Sequence, residues 1–94
     1  MKYLEGNNRF YVPGPDGKDD IAEITYQLQG DNIAIIDHTF VDVNYRGQGI
    51  ADRLFELVVE KMRAEGRKIV PLCSFAVKQF ERKSHYRDML ANTQ

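Results

Sequence analysis

The chain has 94 residues, 43% hydrophobic and 29% charged, with one cysteine and a net charge of −1. That length suits one domain, 1–94, able to bury a core, and the lone Cys73 rules out an internal disulfide. The near-neutral balance argues against strong steering toward nucleic acid, and no apolar run approaches membrane-spanning length.

Met1–Asn8 has no apolar stretch of the kind that marks a secretory signal, so a cytoplasmic location is expected. Charge is unevenly spread. Residues 1–44 hold three Lys/Arg against eight Asp/Glu, whereas residues 45–94 hold ten against six. An anionic ligand suits the second half and a cationic amine the first; a chance split of solvated surface charge is the plainer account.

Arg9–Val12 reads as a strand, followed by dense turn punctuation at Pro13-Gly14-Pro15-Asp16-Gly17. Ala22, Ile24, Tyr26 and Leu28 alternate with Glu23, Thr25, Gln27 and Gln29, the period of a half-buried strand. Gly30-Asp31-Asn32 turns the chain, and Ile33 to Val43 is a longer, more apolar β run. These three strands predict an antiparallel meander.

Ile50, Leu54, Leu57, Val58 and Met62 then recur at helical spacing, with Phe55 and Val59 widening the stripe and Gly66 as the stop. Ile69 to Cys73 predicts a short strand parallel to the one before the helix, because a crossover of this length normally returns that way. Pro71 lacks an N–H, so a sheet edge or a break in pairing is expected there. Ser74 suits a helix cap, with Phe75, Val77, Phe80 and an extension to Tyr86 on the apolar side. The expected fold class is mixed α+β: an antiparallel meander, a β-α-β phosphate-loop unit and a C-terminal helix.

The chemistry concentrates where the β run meets the helix. Gly47 and Gly49 place backbone N–H groups at a helix N-terminus, where the partial positive charge favours a phosphate or pyrophosphate. A Cβ at Gly49 is expected to collide or to demand an unfavourable φ. A dinucleotide fingerprint needs a third glycine where Asp52 stands, and a nucleoside-triphosphatase loop needs Lys-Ser/Thr where Ile50-Ala51 stand.

Arg46-Gly47-Gln48-Gly49-Ile50-Ala51 matches Arg/Gln-x-x-Gly-x-Gly/Ala and resembles the acetyl-CoA pyrophosphate loop of the GNAT superfamily of N-acetyltransferases. The element order is similar from about residue 9 to residue 86. The stretches His38-Thr39-Phe40-Val41 and Pro71-Leu72-Cys73-Ser74 resemble those of its minimal, single-domain subgroup. Fuller members insert two helices where this chain has only a turn between Val12 and Ile21. They also add two C-terminal strands that have no counterpart before Gln94. The acceptor side is where this chain departs most.

The resemblance implies a fold in which two parallel strands splay around the pantetheine arm of acetyl-CoA. It implies pantetheine contacts from Val41, Asp42 and Val43, and pyrophosphate contacts from Arg46, Gly47, Gln48, Gly49, Ile50 and Ala51. Ser74 and Lys78 complete the expected cofactor set, although a solvated face explains Lys78 as well. No metal is expected.

Transfer to an amine requires a polarised thioester, a deprotonated amine and a neutralised thiolate. Histidine is the side-chain type that titrates near neutrality, which makes His38 the candidate base. By alternation it shares a face with Ile36 and Phe40, so a structural role competes. Cys73 could protonate the leaving thiolate or carry a transient acetyl group; alternatively it is a small core residue. The resemblance implies Tyr86 as another candidate acid, against a packing role, and Glu23 could reach an acceptor amine through water.

The function expected is acetyl-CoA-dependent N-acetyl transfer to a small-molecule or protein amine, directly or through a Cys73 relay, by a monomer or weak dimer. A CoA-binding module without efficient turnover and a phosphate-binding β-α-β domain unrelated to CoA are the alternatives.

Overall fold

The computed structural model describes residues 1–92 and is mixed α+β. Five strands form one sheet in sequential order: β1 (Leu4–Gly6), β2 (Arg9–Val12), β3 (Ala22–Gln29), β4 (Ile33–Val41) and β5 (Lys68–Pro71). The first four pair antiparallel and β5 runs parallel to β4. The meander thus has four strands, not three. The additional β1 arises because Gly6 pairs with Arg9 across Asn7-Asn8, and Asn8 takes the left-handed conformation (φ 57°) that a tight hairpin needs.

The crossover is α1 (Ile50–Glu65), which buries Ile50, Leu54, Phe55, Val58, Val59 and Met62 against the sheet. Each fully buried side chain of this size contributes about 1.5–3 kcal/mol. Gly66 ends the helix in the left-handed region at φ 74°, as its position predicts. α2 (Ser74–Arg82) follows β5, and a 3-10 segment spans Ser84–Met89. Phe55 of α1 contacts Phe75 and Phe80 of α2 and Tyr86 of the 3-10 segment edge-on, with ring centroids 6.2, 5.5 and 5.2 Å away. One aromatic cluster therefore holds α1, α2 and the 3-10 segment on the same face of the sheet.

Four expected boundaries shift, the first at β5, which runs Lys68–Pro71 rather than Ile69 to Cys73 and leaves Leu72 and Cys73 outside it. Val43 is not in the strand: β4 stops at Val41, and Asp42 starts a 3-10 turn by accepting the Asn44 N–H at 2.8 Å. Ser74 is not a cap but the first residue of α2. Cys73 is the N-cap, extended because the Leu72 and Cys73 amides both bond the Ile36 carbonyl, at 2.9 and 3.2 Å. Tyr86 lies outside α2, which breaks at Lys83.

A further difference governs the site. Between Thr25 and Tyr26 the register of β3 against β4 slips: Tyr26 faces Ile36, but Thr25 faces His38. Asp37 is the extra residue of a β-bulge. Because side chains alternate with period two, one extra residue exchanges the faces beyond it. Ala34 and Ile36 are buried on the helix side before the bulge; after it Thr39 takes that side, opposite buried Ile24. His38 therefore does not share a face with Ile36. It lies with Phe40 and Thr25 on the face that carries no helix among the described residues.

Candidate functional site

The bulge coincides with the end of β4–β5 pairing. The parallel ladder runs from Ile33/Lys68 to Ile36/Pro71 and stops. Pro71 costs the ladder no bond, because Lys68 and Leu72 supply the amides that face β4 and the Pro71 nitrogen faces the outer edge; pairing ends where the Cys73 amide turns onto the same Ile36 carbonyl as Leu72. Among the described residues the β4 main chain beyond Ile36, as far as Val41, has no strand partner on that side, leaving a wedge between β4 and the start of α2. Free main-chain donors and acceptors along such an edge suit an extended amide-bearing chain.

At the wide end of the wedge lies the loop. Gly47 and Gly49 have φ of 83° and 78°, and Gly49 is the N-cap of α1 with no side chain capping it. The first intrahelical bond is Arg53 N–H to Gly49 C=O at 3.1 Å. The amides before it have no such bond, the usual source of an anion site. A Cβ on either glycine meets nothing within 4 Å. The expected collision at Gly49 is absent, and the requirement for glycine is backbone strain at positive φ. Arg46 donates from Nε to the Val41 carbonyl at 3.1 Å, which holds its side chain against the end of β4. Val41 is half-buried at that end, and Gln48 is exposed with the rest of the loop. Ile50 is buried under the loop, so it and half-buried Ala51 can offer only backbone.

Cys73 is half-buried at the other side of the wedge, with Sγ 3.5 Å from Thr39 Oγ1. His38 is exposed on the opposite face. The structure thus brings Cys73 to the helix side of β4 and His38 to the open side, flanking the same strand without meeting. Ser74 and Lys78 are both exposed on α2. Tyr86 is buried against Phe55, and burial, with Glu56 and Glu60 adding to it, pushes its hydroxyl up from the ordinary tyrosine range. Those features place it in the core rather than at the wedge.

The open face is polar around His38. Burial pushes the Asp37 carboxyl up, but hydrogen bonds from Thr25 Oγ1 at 2.6 Å and Gln27 Nε2 at 2.8 Å outweigh it and hold Asp37 below the usual carboxylate range. Glu23 lies 3.1 Å from Arg9 Nε, and that guanidinium sits 3.7 Å from the Tyr11 ring centre. Glu23 is thus already paired. A separate hollow of about 380 Å³, lined by Pro71, Val77, Phe80, Glu81, Arg87 and Leu90, includes none of the candidate residues.

Two contacts escape sequence reasoning. Thr39 reaches Cys73 only because of the bulge. Gln79, 4% exposed, donates to Asp52 in the first turn of α1 at 2.7 Å. A polar residue inside the apolar stripe of Ala76 and Phe80 was the available signal for Gln79.

Residues 9–89 match the family of GCN5-related N-acetyl-transferases. No curated protein matches at a significant level. Among solved structures, a GCN5-like N-acetyltransferase candidate from Staphylococcus aureus is 36% identical, with 99% of this chain and 90% of that one covered and a TM-score of 0.81. A ribosomal-protein-alanine N-acetyltransferase from Brucella melitensis is similar in fold at 21% identity, with 92% and 64% covered and a TM-score of 0.56. A Mycobacterium tuberculosis protein solved in complex with CoA is similar in fold at 14% identity, with 79% and 47% covered and a TM-score of 0.59. The two-glycine turn at the start of α1 and the match over residues 9–89 agree: the chain belongs to the GCN5-related N-acetyltransferase family.

Proposed function

We propose that this protein transfers an acetyl group from acetyl-CoA to an amine, with residues 1–94 acting as one minimal domain in the cytoplasm. Among the described residues no helix is long and apolar enough to cross a membrane. The observation that carries the reading is the coincidence of the wedge between β4 and the start of α2 with the uncapped, two-glycine N-terminus of α1. The residues present fit the cosubstrate: open space at both glycines, the first-turn amides of α1, and a β4 edge with no strand partner among the described residues.

The cosubstrate supplies an activated thioester. Gly47, Gly49, Ile50 and Ala51 would bind its pyrophosphate through backbone N–H groups, with Arg46 and Gln48 beside them. The β4 edge up to Val41 would hold the pantetheine amides, and the backbone at Asp42 and Val43 would border it at the loop. Ser74 and Lys78 would approach from α2.

The acceptor amine would enter from the open face, the side His38 occupies, and His38 would take its proton. Cys73, on the helix side of the same strand, would protonate the departing sulfur or accept the acetyl group before the amine does.

Calorimetry with acetyl-CoA and detection of free CoA over a panel of amines test the reading. Binding in the micromolar range, on the order of 8 kcal/mol, together with amine-dependent CoA release supports it. Binding without release on any amine would leave a CoA-binding module instead.

A further inference from the structure

Asp52 is the third residue of α1, inside the turn assigned above to pyrophosphate. A carboxylate there is favoured by the helix dipole and can fold back onto the unbonded amides. In doing so it would compete with a bound diphosphate for the same donors and repel it. The side chain is instead held elsewhere. Gln79 Nε2 donates to Asp52 Oδ1 at 2.7 Å, and Lys83 Nζ lies 3.7 Å from Oδ2.

Gln79 is the buried polar side chain of the core among the described residues. Burying an amide is costly without a partner. Its place inside the stripe of Ala76 and Phe80 therefore has to be explained by what it bonds. Lys83 follows the last residue of α2 and brings its charge from the same direction. Both partners draw the carboxylate sideways toward α2.

We propose that Gln79, assisted by Lys83, is a positioning residue that holds the Asp52 carboxylate off the phosphate-binding turn. This inference rests on the reading that the turn takes the pyrophosphate of acetyl-CoA. It assigns Gln79 no contact with the ligand. It also gives α2, which begins beside Cys73, a polar tie to the loop helix.

The test is a double-mutant cycle on the full chain, read by acetyl-CoA calorimetry and by the split between KM and kcat. Gln79→Met keeps the volume and removes the donor. It should weaken acetyl-CoA binding roughly tenfold, a factor equal to about 1.4 kcal/mol, and raise KM with kcat held. Asp52→Asn and the double variant should bind like wild type, since the charge being restrained is gone. Wild-type affinity in Gln79→Met overturns the proposal, and so does an equal loss in Gln79→Met and the double variant. Should Gln79→Met fail to fold, Lys83→Met carries the same cycle. Weaker binding in Lys83→Met alone, with wild-type binding once Asp52→Asn is added, supports the proposal; equal loss in both overturns it. A wild-type protein that binds no acetyl-CoA fails the earlier reading before any variant is compared; a flat cycle on a wild type that binds fails this one alone.

Discussion

Thr39 Oγ1 and Cys73 Sγ lie 3.5 Å apart, joining β4 to the first turn of α2 across the point where β5 has stopped pairing. The contact fixes which side of the strand the thiol occupies, and His38, one residue earlier than Thr39, points the other way. Cys73→Ala should therefore lower turnover far more than acetyl-CoA affinity. Intact mass spectrometry after mixing with acetyl-CoA separates the routes: a relay leaves an acetylated protein that Cys73→Ala cannot form, and direct transfer leaves none. Full activity in Cys73→Ala on a verified acceptor returns the thiol to a packing role.

His38→Ala probes the other face. His38 is an exposed side chain, so its loss should leave the stability within about 0.5 kcal/mol of wild type, as for an ordinary surface site. Turnover should fall, and the acetyl-CoA affinity should hold. An unchanged rate would mean that solvent removes the amine proton.

Gly49 adopts φ 78° with open space around its Cα. Gly49→Asp should cost about 1–2 kcal/mol through left-handed backbone strain and leave the protein folded. It also sets a carboxylate beside the pyrophosphate amides, so acetyl-CoA binding should disappear. A folded variant with unchanged affinity in calorimetry would remove the loop from the site.

Leu54 is fully buried on α1. Leu54→Ala should cost about 2–5 kcal/mol by leaving a cavity, read as a lower denaturation midpoint with little change in slope.

The helix α1 is legible in the sequence because its stripe of Ile50, Leu54, Val58 and Met62 and its stop at Gly66 all point the same way. The two-glycine turn is legible for the same reason: glycine is needed at positive φ, and nothing else in the chain pairs two of them before an apolar stripe. The bulge at Asp37 is not. Asp-His interrupts an apolar run without glycine or proline, and only the pairing partner β3 reveals that Tyr26 and Thr25 skip a residue on β4. The faces of His38 and Thr39 follow from that slip, so alternation alone puts His38 on the wrong side. β1 escapes because three residues carry too little pattern, although Asn7-Asn8 marks its turn. Cys73 as N-cap is decided by the Ile36 carbonyl, a partner on a different strand that no local pattern around Cys73 can announce.

The bulge also carries a pH signature. The carboxyl of Asp37 is pushed up by burial but is held lower overall by Thr25, Gln27, its own backbone and nearby His38. A carboxyl whose folded value lies below its unfolded value stabilises the fold when ionised. That contribution is complete above the ordinary aspartate value, about 4, and is lost as pH falls through the lower folded value. Glu65, lowered by Lys61 and Arg67, and Asp88, lowered by Arg63, act in the same direction from the surface. Urea unfolding should therefore show stability falling as the pH drops below about 4. Asp37→Asn keeps the shape and removes the titration, so its stability should be lower than wild type at pH 7 and should fall less steeply in acid. The two curves should converge at the lowest pH. Parallel curves with a constant offset would show that Asp37 is held by packing, and that the bulge owes nothing to its charge.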